Sequence, residues 1–159
     1  MCYGVDVNRA WIAGLLHDCA KYMSGEELLA ECTLHQLPIT EIERQAPHLL
    51  HAKLGSYYAS ERYEVKDQEI LSAIKLHTTG KPGMTKLEQI IFVADYMEPG
   101  RKPIPGLDKI RNEVFHDLNL ASLHILENTW AYLNSLNALI DEQTVDTMSY
   151  YQKITSSDL

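Results

Sequence analysis

Apolar residues recur at helical spacing along most of this chain, and that periodicity limits the possible folds more than any other feature. Near the N-terminus, Trp11, Ile12, Leu15, Leu16 and Cys19 follow the spacing of one helix face. Residues 86–96 are apolar on nearly all sides, which is typical of a buried helix. No segment of useful length alternates as a half-buried strand would. We therefore expect an all-α protein, and its length of 159 residues suits one domain spanning residues 1–159.

Capping residues, glycines and prolines predict where the helices begin and end. The first helix contains Trp11 to Cys19 and would carry the adjacent His17 and Asp18. Further helices are predicted over residues 24–34, 40–45, 48–63, 68–77, 86–96, 107–136 and 141–152, with a break near Asn119. The segments TTGKPGM (78–84) and EPGRKPIPG (98–106) contain glycine and proline and are predicted loops.

Composition excludes several functional classes. The formal net charge is −8 and the pI is about 5.3, so there is no basic surface typical of a nucleic-acid-binding protein. No apolar run reaches the ~18 residues that a membrane span requires, and the N-terminus lacks the order of a signal peptide. The three cysteines (Cys2, Cys19 and Cys32) form no CxxC pattern, so no disulfide framework is expected. These features favour a cytoplasmic protein.

Five ionisable residues occupy segments that otherwise look buried, and they suggest a metal site. They are His17, Asp18, His51, His77 and Asp95. Imidazole and carboxylate groups bind Fe, Mn and Zn, and a carboxylate in the apolar run IIFVADYM costs several kcal/mol unless it is paired or metal-bound. Hydrogen-bonded core histidines are the competing interpretation. The gaps of 33, 26 and 18 residues that separate Asp18, His51, His77 and Asp95 match no short metal motif. The other histidines are interpreted as surface or structural residues: His35, His48, His116 and His124.

Basic residues flank this set in the sequence. Lys21 follows His17 by one helical turn, and the two predicted loops have a basic cluster around them consisting of Lys81, Arg101, Lys102 and Arg111. Such side chains are commonly only solvated. Beside a metal centre, however, they would suit a phosphate ester, because Arg binds phosphate oxygens and metals neutralise their charge.

Four segments resemble a known family. LLHDCAK (15–21) resembles the HD motif of the HD-domain metal-dependent phosphohydrolases. The H-x-x-x-G pattern at His51 to Gly55, AIKLHTTGKPGMTKLEQIIFVADYMEPGR (73–101) and PGLDKIR (105–111) are similar to the YqeK family, which contains bacterial symmetrical diadenosine tetraphosphatases. The resemblance covers essentially the whole chain.

This resemblance implies an HD-domain helical bundle with a di-iron centre, although Mn or Zn would also suit the ligands. The metals would be bound by His17, Asp18, His51, His77 and Asp95, with Asp18 bridging them. The substrate would be diadenosine tetraphosphate, a dinucleoside polyphosphate, and the product two molecules of ADP. The polyphosphate would contact Lys21, Thr78, Arg101 and Arg111. Asp18 and Lys21 would act in catalysis.

The resemblance also contains one departure. Members of the family carry a further metal-ligating histidine on a helix upstream of the HD pair, whereas no histidine precedes His17 in this sequence. We therefore expect a first metal site with one imidazole fewer, and exposed apolar surface near Trp11 and Leu15. Such a surface would favour a homodimer, although no pattern requires one. Two alternatives stay open: an HD phosphohydrolase acting on other nucleotides, or a non-catalytic module that binds a nucleotide or a protein.

Overall fold

A computed structural model describes residues 2–101 and 104–156, and this part of the chain is helical without strands. The α-helices are α1 (Val7–Leu16), α2 (Gly25–Leu34), α3 (Glu41–Gln45), α4 (Leu50–Glu61), α5 (Gln68–Leu76), α6 (Lys86–Tyr96), α7 (Leu107–Glu113), α8 (Leu118–Ser135) and α9 (Glu142–Ser156). A short 3₁₀ helix, Pro47–Leu49, leads into α4. The predicted all-α class is confirmed. Among the helices described, none is long and apolar enough to cross a bilayer.

Helix α6 lies at the centre of the fold and contributes to two hydrophobic clusters. Leu87 and Ile91 pack with residues of α1, α4 and α5. Phe92 and Val93 face the other way, into a cluster with residues of α7, α8 and α9. The predicted burial of this helix is confirmed. Its side chains are apolar on both faces because it is packed on both faces.

Side-chain caps fix the starts of the predicted helices. Ser24 and Thr85 form complete capping boxes with the glutamates three residues later. Asp67 accepts hydrogen bonds from the backbone N–H groups of Glu69 and Ile70. Each of these side chains satisfies backbone donors that have no partner inside the helix, and the helices predicted over residues 24–34, 68–77 and 86–96 are confirmed.

One predicted helix boundary is wrong, and one predicted helix break is confirmed. Helix α1 ends at Leu16, so His17 is its C-cap and Asp18 lies in the following turn, where the N–H of Lys21 donates to the Asp18 carbonyl oxygen at 2.9 Å. The break predicted near Asn119 is confirmed, because residues 107–136 are divided into α7 and α8. Asp117 accepts from two backbone N–H groups and thereby starts a new helix. The described residues of the 98–106 segment are non-helical, as predicted, whereas Lys102 and Pro103 lie outside the described residues.

Helices α1 and α5 run side by side in the same direction. At their N-terminal ends Arg9 donates two hydrogen bonds of 2.7 Å to Asp67. At their C-terminal ends, the rings of His17 and His77 lie 4.9 Å apart between centroids. Each of these histidines is the C-cap of its helix. The two negative ends of the helix dipoles therefore meet at one place, which favours a cation there.

We expect Asp67→Ala to lower the free energy of unfolding by about 1–2 kcal/mol, because it removes the cap of α5 and the contact with Arg9. The Arg9 hydrogen bond holds the pKa of Asp67 below its ordinary value of 3.8. The carboxylate thus stabilises the protein at neutral pH, and this contribution is lost as the pH falls below about 4. Urea unfolding at pH 7 and pH 3 measures both effects.

Asp67→Asn is the matched control, because asparagine also caps helices but cannot form the ion pair. Asp67→Asn should lower the free energy of unfolding by less than Asp67→Ala does. Equal urea midpoints for wild type and Asp67→Ala at pH 7 would contradict this account of how α1 and α5 are joined.

An apolar groove lies on the surface beside α1. It has a volume of about 440 Å³, and its walls include Tyr3, Trp11, Met97, Phe115 and Leu118. The exposed fractions of Trp11 and Leu15 are 66% and 64%. Exposure near these two residues was expected from the sequence.

Candidate metal centre

The five candidate ligands come from four parts of the fold and converge. His17 and Asp18 follow α1, His51 lies in the first turn of α4, His77 caps α5, and Asp95 lies in the last turn of α6. Ligand atoms of His17, Asp18 and His77 all lie within 4.8 Å of one another. The remaining two join the same cluster, because His51 Nε2 lies 3.3 Å from Asp18 Oδ1 and Asp95 Oδ1 lies 3.6 Å from His17 Nε2.

The three histidines are oriented in the same way. The Nδ1 atoms of His17, His51 and His77 lie 2.6, 2.5 and 2.7 Å from the carbonyl oxygens three residues earlier. A carbonyl oxygen can only accept, so each Nδ1 must carry a proton, and each ring presents an Nε2 lone pair when it is neutral. For His17 and His77 the acceptor belongs to the last turn of a helix, where carbonyls lack partners. This arrangement is common in metal-binding histidines.

The Nε2 atoms face one another without a bridging group. Those of His51 and His77 are 3.1 Å apart, which brings two lone pairs together unless a cation or a proton lies between them. Asp18 Oδ1, 3.4 Å from His77 Nε2, is buried and has no hydrogen-bond partner among the described residues. A buried carboxylate oxygen without a partner is costly. A divalent metal would satisfy all three atoms, so the residues present fit a metal site.

The two oxygens of Asp18 face different partners. Oδ1 lies 3.3 and 3.4 Å from Nε2 of His51 and His77. Oδ2 lies 3.4 Å from Nε2 of His17, which in turn contacts Asp95. The cluster thus has two halves with Asp18 shared between them. One half offers two imidazoles, and the other offers one imidazole and a second carboxylate.

The charges in the cluster are strongly coupled. Burial raises the pKa of Asp18 and of Asp95, but the neighbouring histidines lower both pKa values by more. Hydrogen bonds to the same two carboxylates raise the pKa of His17 to about 10, so in the absence of a metal its Nε2 holds a proton that a metal would displace. Both carboxylates are therefore held in the ionised form, and the cluster presents two negative charges to a cation.

Basic side chains lie at the edge of the cluster. Lys21 Nζ is 2.7 Å from Asp18 Oδ2. Arg101 Nη2 donates to the Asp95 carbonyl oxygen at 2.8 Å, whereas its buried Nε has no hydrogen-bond partner among the described residues. Arg111 is placed differently, since it donates to the backbone carbonyl oxygens of Met97 and Glu98. Lys81 pairs with the buried Glu88, and Lys102 is not among the described residues.

A cavity of about 710 Å³ opens beside the cluster. Its walls include four of the residues that the sequence singled out: His77, Thr78, Asp95 and Arg101. His48, interpreted from the sequence as surface or structural, also lines it, and its carbonyl oxygen accepts from His51. Residues of α8, including Asn128 and Tyr132, also line the cavity. Sequence analysis missed these α8 residues, because nothing in the pattern of α8 indicates which face meets a cavity.

Comparison with known proteins is consistent with this geometry. Residues 2–100 match the HD domain family. The chain belongs to the HD-domain family, which places it among the HD-type metal-dependent phosphohydrolases.

Named relatives lie within the same family. A Bacillus subtilis protein named symmetrical bis(5'-nucleosyl)-tetraphosphatase is 37% identical over 93% of this chain and 78% of its own length. A protein of the same name from Halalkalibacterium halodurans is 39% identical over 91% of this chain and 76% of its own. These relatives confirm the resemblance seen in the sequence.

A solved structure shares the fold. It is described as a predicted HD superfamily hydrolase involved in NAD metabolism, from Clostridium acetobutylicum. Its TM-score is 0.91 at 36% identity, over 96% of this chain and 80% of that one. The helical-bundle prediction is thereby confirmed.

Proposed function

We propose that this protein hydrolyses diadenosine tetraphosphate symmetrically, giving two molecules of ADP, at a centre of two divalent metals. The observation that carries the proposal is the position of Asp18, whose two oxygens face two separate sets of ligand atoms. A single carboxylate shared in this way suits two metals. The names of the relatives support the dinucleoside polyphosphate as substrate.

Iron is the metal we propose for both positions, with His51, His77 and Asp18 holding one ion and His17, Asp95 and Asp18 the other. Imidazole and carboxylate ligands suit iron, and they also suit manganese and zinc. When bound, such metals neutralise phosphate charge and supply a nucleophilic water at neutral pH. Metal analysis of protein purified without added metal would identify the ion.

The chain's own residues would hold and polarise the polyphosphate. Burial lowers the pKa of Lys21, but the Asp18 carboxylate raises it more, so the ammonium stays charged. Lys21 and Arg101 are then positioned to bind non-bridging oxygens as negative charge develops on them. Water adds to one central phosphorus, and the central bridging oxygen leaves with the other phosphorus. One P–O bond forms, one breaks, and each product is ADP.

Product analysis tests the reaction directly. The protein is loaded anaerobically with Fe(II) and incubated with diadenosine tetraphosphate, and the nucleotides are separated by chromatography. ADP as the sole product supports the proposal. ATP together with AMP would contradict symmetrical cleavage. A folded, metal-loaded protein that cleaves no member of a nucleotide panel would favour the binding-module alternative, and preferential cleavage of a deoxynucleoside triphosphate or an alarmone would favour another HD activity.

Arg101→Ala should lower kcat/KM about tenfold to a hundredfold, because a hydrogen bond to a charged group contributes about 1.5–3 kcal/mol. The physical reason is that Arg101 lines the cavity beside the cluster, where its guanidinium would meet the phosphate chain. Arg111→Ala should have a smaller effect, because its guanidinium is already used by backbone carbonyls. Steady-state kinetics of both variants measure the difference.

Arg44→Ala is the control for these variants, because Arg44 is exposed on α3, away from the cluster. Its kinetics should match those of the wild type. An unchanged kcat/KM in Arg101→Ala would show that this arginine does not contact the substrate.

A further inference from the structure

The cavity beside the metal cluster has a chemical character that phosphate binding does not explain. Its lining includes the apolar side chains of Phe92, Ile125 and Leu133, together with the ring of Tyr132 on α8. A polyphosphate is charged and gains nothing from such walls. Sites that are mostly apolar with a few polar groups are typical of small organic ligands, and about 710 Å³ lies within their usual range.

We propose that this cavity is a nucleoside subsite, in which the base of one adenosine end stacks on Tyr132. The inference rests on the proposed function, since it assigns a place to one end of the dinucleotide. His77 and Asp95 line the same cavity, so a phosphate chain attached to a nucleoside in the cavity leads directly to the cluster. The other nucleoside would leave on the opposite side of the cluster.

Tyr132 suits a stacking role because its ring is available. Its exposed fraction is 61%, although it belongs to a helix whose earlier residues, such as Ile125 and Leu126, are buried. A base lying against the ring would remove apolar surface from water. Base–aromatic stacking is worth about 1–3 kcal/mol per base when measured by alanine substitution.

Asn128 provides a polar contact one turn earlier on α8. Its Nδ2 donates to the Pro105 carbonyl oxygen at 3.1 Å, and because that partner can only accept, the orientation of the amide is fixed. The Oδ1 atom has no partner among the described residues and is left as an acceptor. An acceptor here suits the exocyclic amine of adenine, whereas guanine presents an oxygen at the corresponding position.

The test compares Tyr132→Ala with Trp130→Ala. Trp130 is on the same helix and 43% exposed, but it is two residues away, faces another direction and does not line the cavity. Tyr132→Ala should raise KM for diadenosine tetraphosphate about fivefold to a hundredfold. Turnover of inorganic tetraphosphate, which has no base, should be unchanged. Tyr132→Phe should restore the wild-type KM, and Trp130→Ala should leave both substrates unaffected.

Binding of ADP to the metal-loaded protein separates this inference from the proposed function. Isothermal calorimetry should show weaker ADP binding in Tyr132→Ala, with pyrophosphate binding unchanged. If the wild type binds ADP in this Tyr132-dependent way but does not cleave the dinucleotide, the subsite stands and the proposed reaction is wrong. If Tyr132→Ala cleaves the dinucleotide with a wild-type KM, or loses activity equally on both substrates, the subsite is wrong.

Discussion

Asp18→Asn should abolish hydrolysis and reduce the metal content of the protein. The substitution keeps the volume of the side chain but removes the charge that lies between the three Nε2 atoms. Because Asp18 would contact both metals, neither position would keep its full ligand set. We expect the rate to fall at least about a thousandfold, since two-metal charge stabilisation is worth several kcal/mol. Metal analysis and turnover of diadenosine tetraphosphate measure the two effects separately.

The fold of this variant should survive, because Asp18 lies in a turn after α1 and contributes no apolar packing. Far-UV circular dichroism checks that the helices are retained. Asp146→Asn serves as the matched substitution, since Asp146 is exposed on α9, and it should behave as the wild type. Near-normal turnover by a folded Asp18→Asn protein would exclude the shared-carboxylate mechanism.

Removing the metals should inactivate the protein and also destabilise it. The Nε2 atoms of His51 and His77 lie 3.1 Å apart. Without a cation between them, they must share a proton or move apart. Ligand binding to the folded state adds about 2.7 kcal/mol of stability at a free concentration of a hundred times Kd. The melting temperature should therefore fall by about 5–10 °C on chelation.

Adding different ions back to the metal-free protein tests whether imidazoles are among the metal ligands. Fe(II) or Mn(II) added to the stripped protein should restore both turnover and melting temperature. Ca(II) should restore neither, because it prefers oxygen ligands in larger number. Full activity in stripped protein, or equal recovery with Ca(II), would contradict a histidine-based metal centre.

Local sequence determined the helices more completely than it determined the site. The apolar residues of 86–96 indicated a buried helix, because that pattern depends on neighbouring residues alone. The convergence of Asp18, His51 and His77 depends on how α1, α4 and α5 pack, and gaps of 33 and 26 residues carry no sign of it. Their ionisable side chains in buried-looking segments singled these residues out, and the family resemblance, not spacing, assigned them to one metal centre. Their positions at the ends of α1 and α5 became apparent only in the structure.

The division between α7 and α8 was predicted to within a few residues. Residues 107–136 keep apolar spacing throughout, so periodicity alone would indicate one helix, and the break was expected near Asn119. Asp117 causes the break, because its carboxylate accepts from the N–H groups of Asn119 and Leu120 and begins a new helix. This break orients α8 so that Tyr132 reaches the cavity beside α6. The capping aspartate lies two residues before the predicted position of the break.

The apolar groove beside α1 has a practical consequence for fluorescence experiments. The sequence contains two tryptophans, and both are exposed, Trp11 by 66% and Trp130 by 43%. Their emission in the folded protein will already resemble that of indole in water, so unfolding will shift it little. Environment-sensitive dyes bind exposed apolar surface, and the groove will make them bright before any heating begins. The dye fluorescence in a melting curve will therefore be high from the start and will rise little on unfolding. Stability is better followed through the amide absorption bands of the helices.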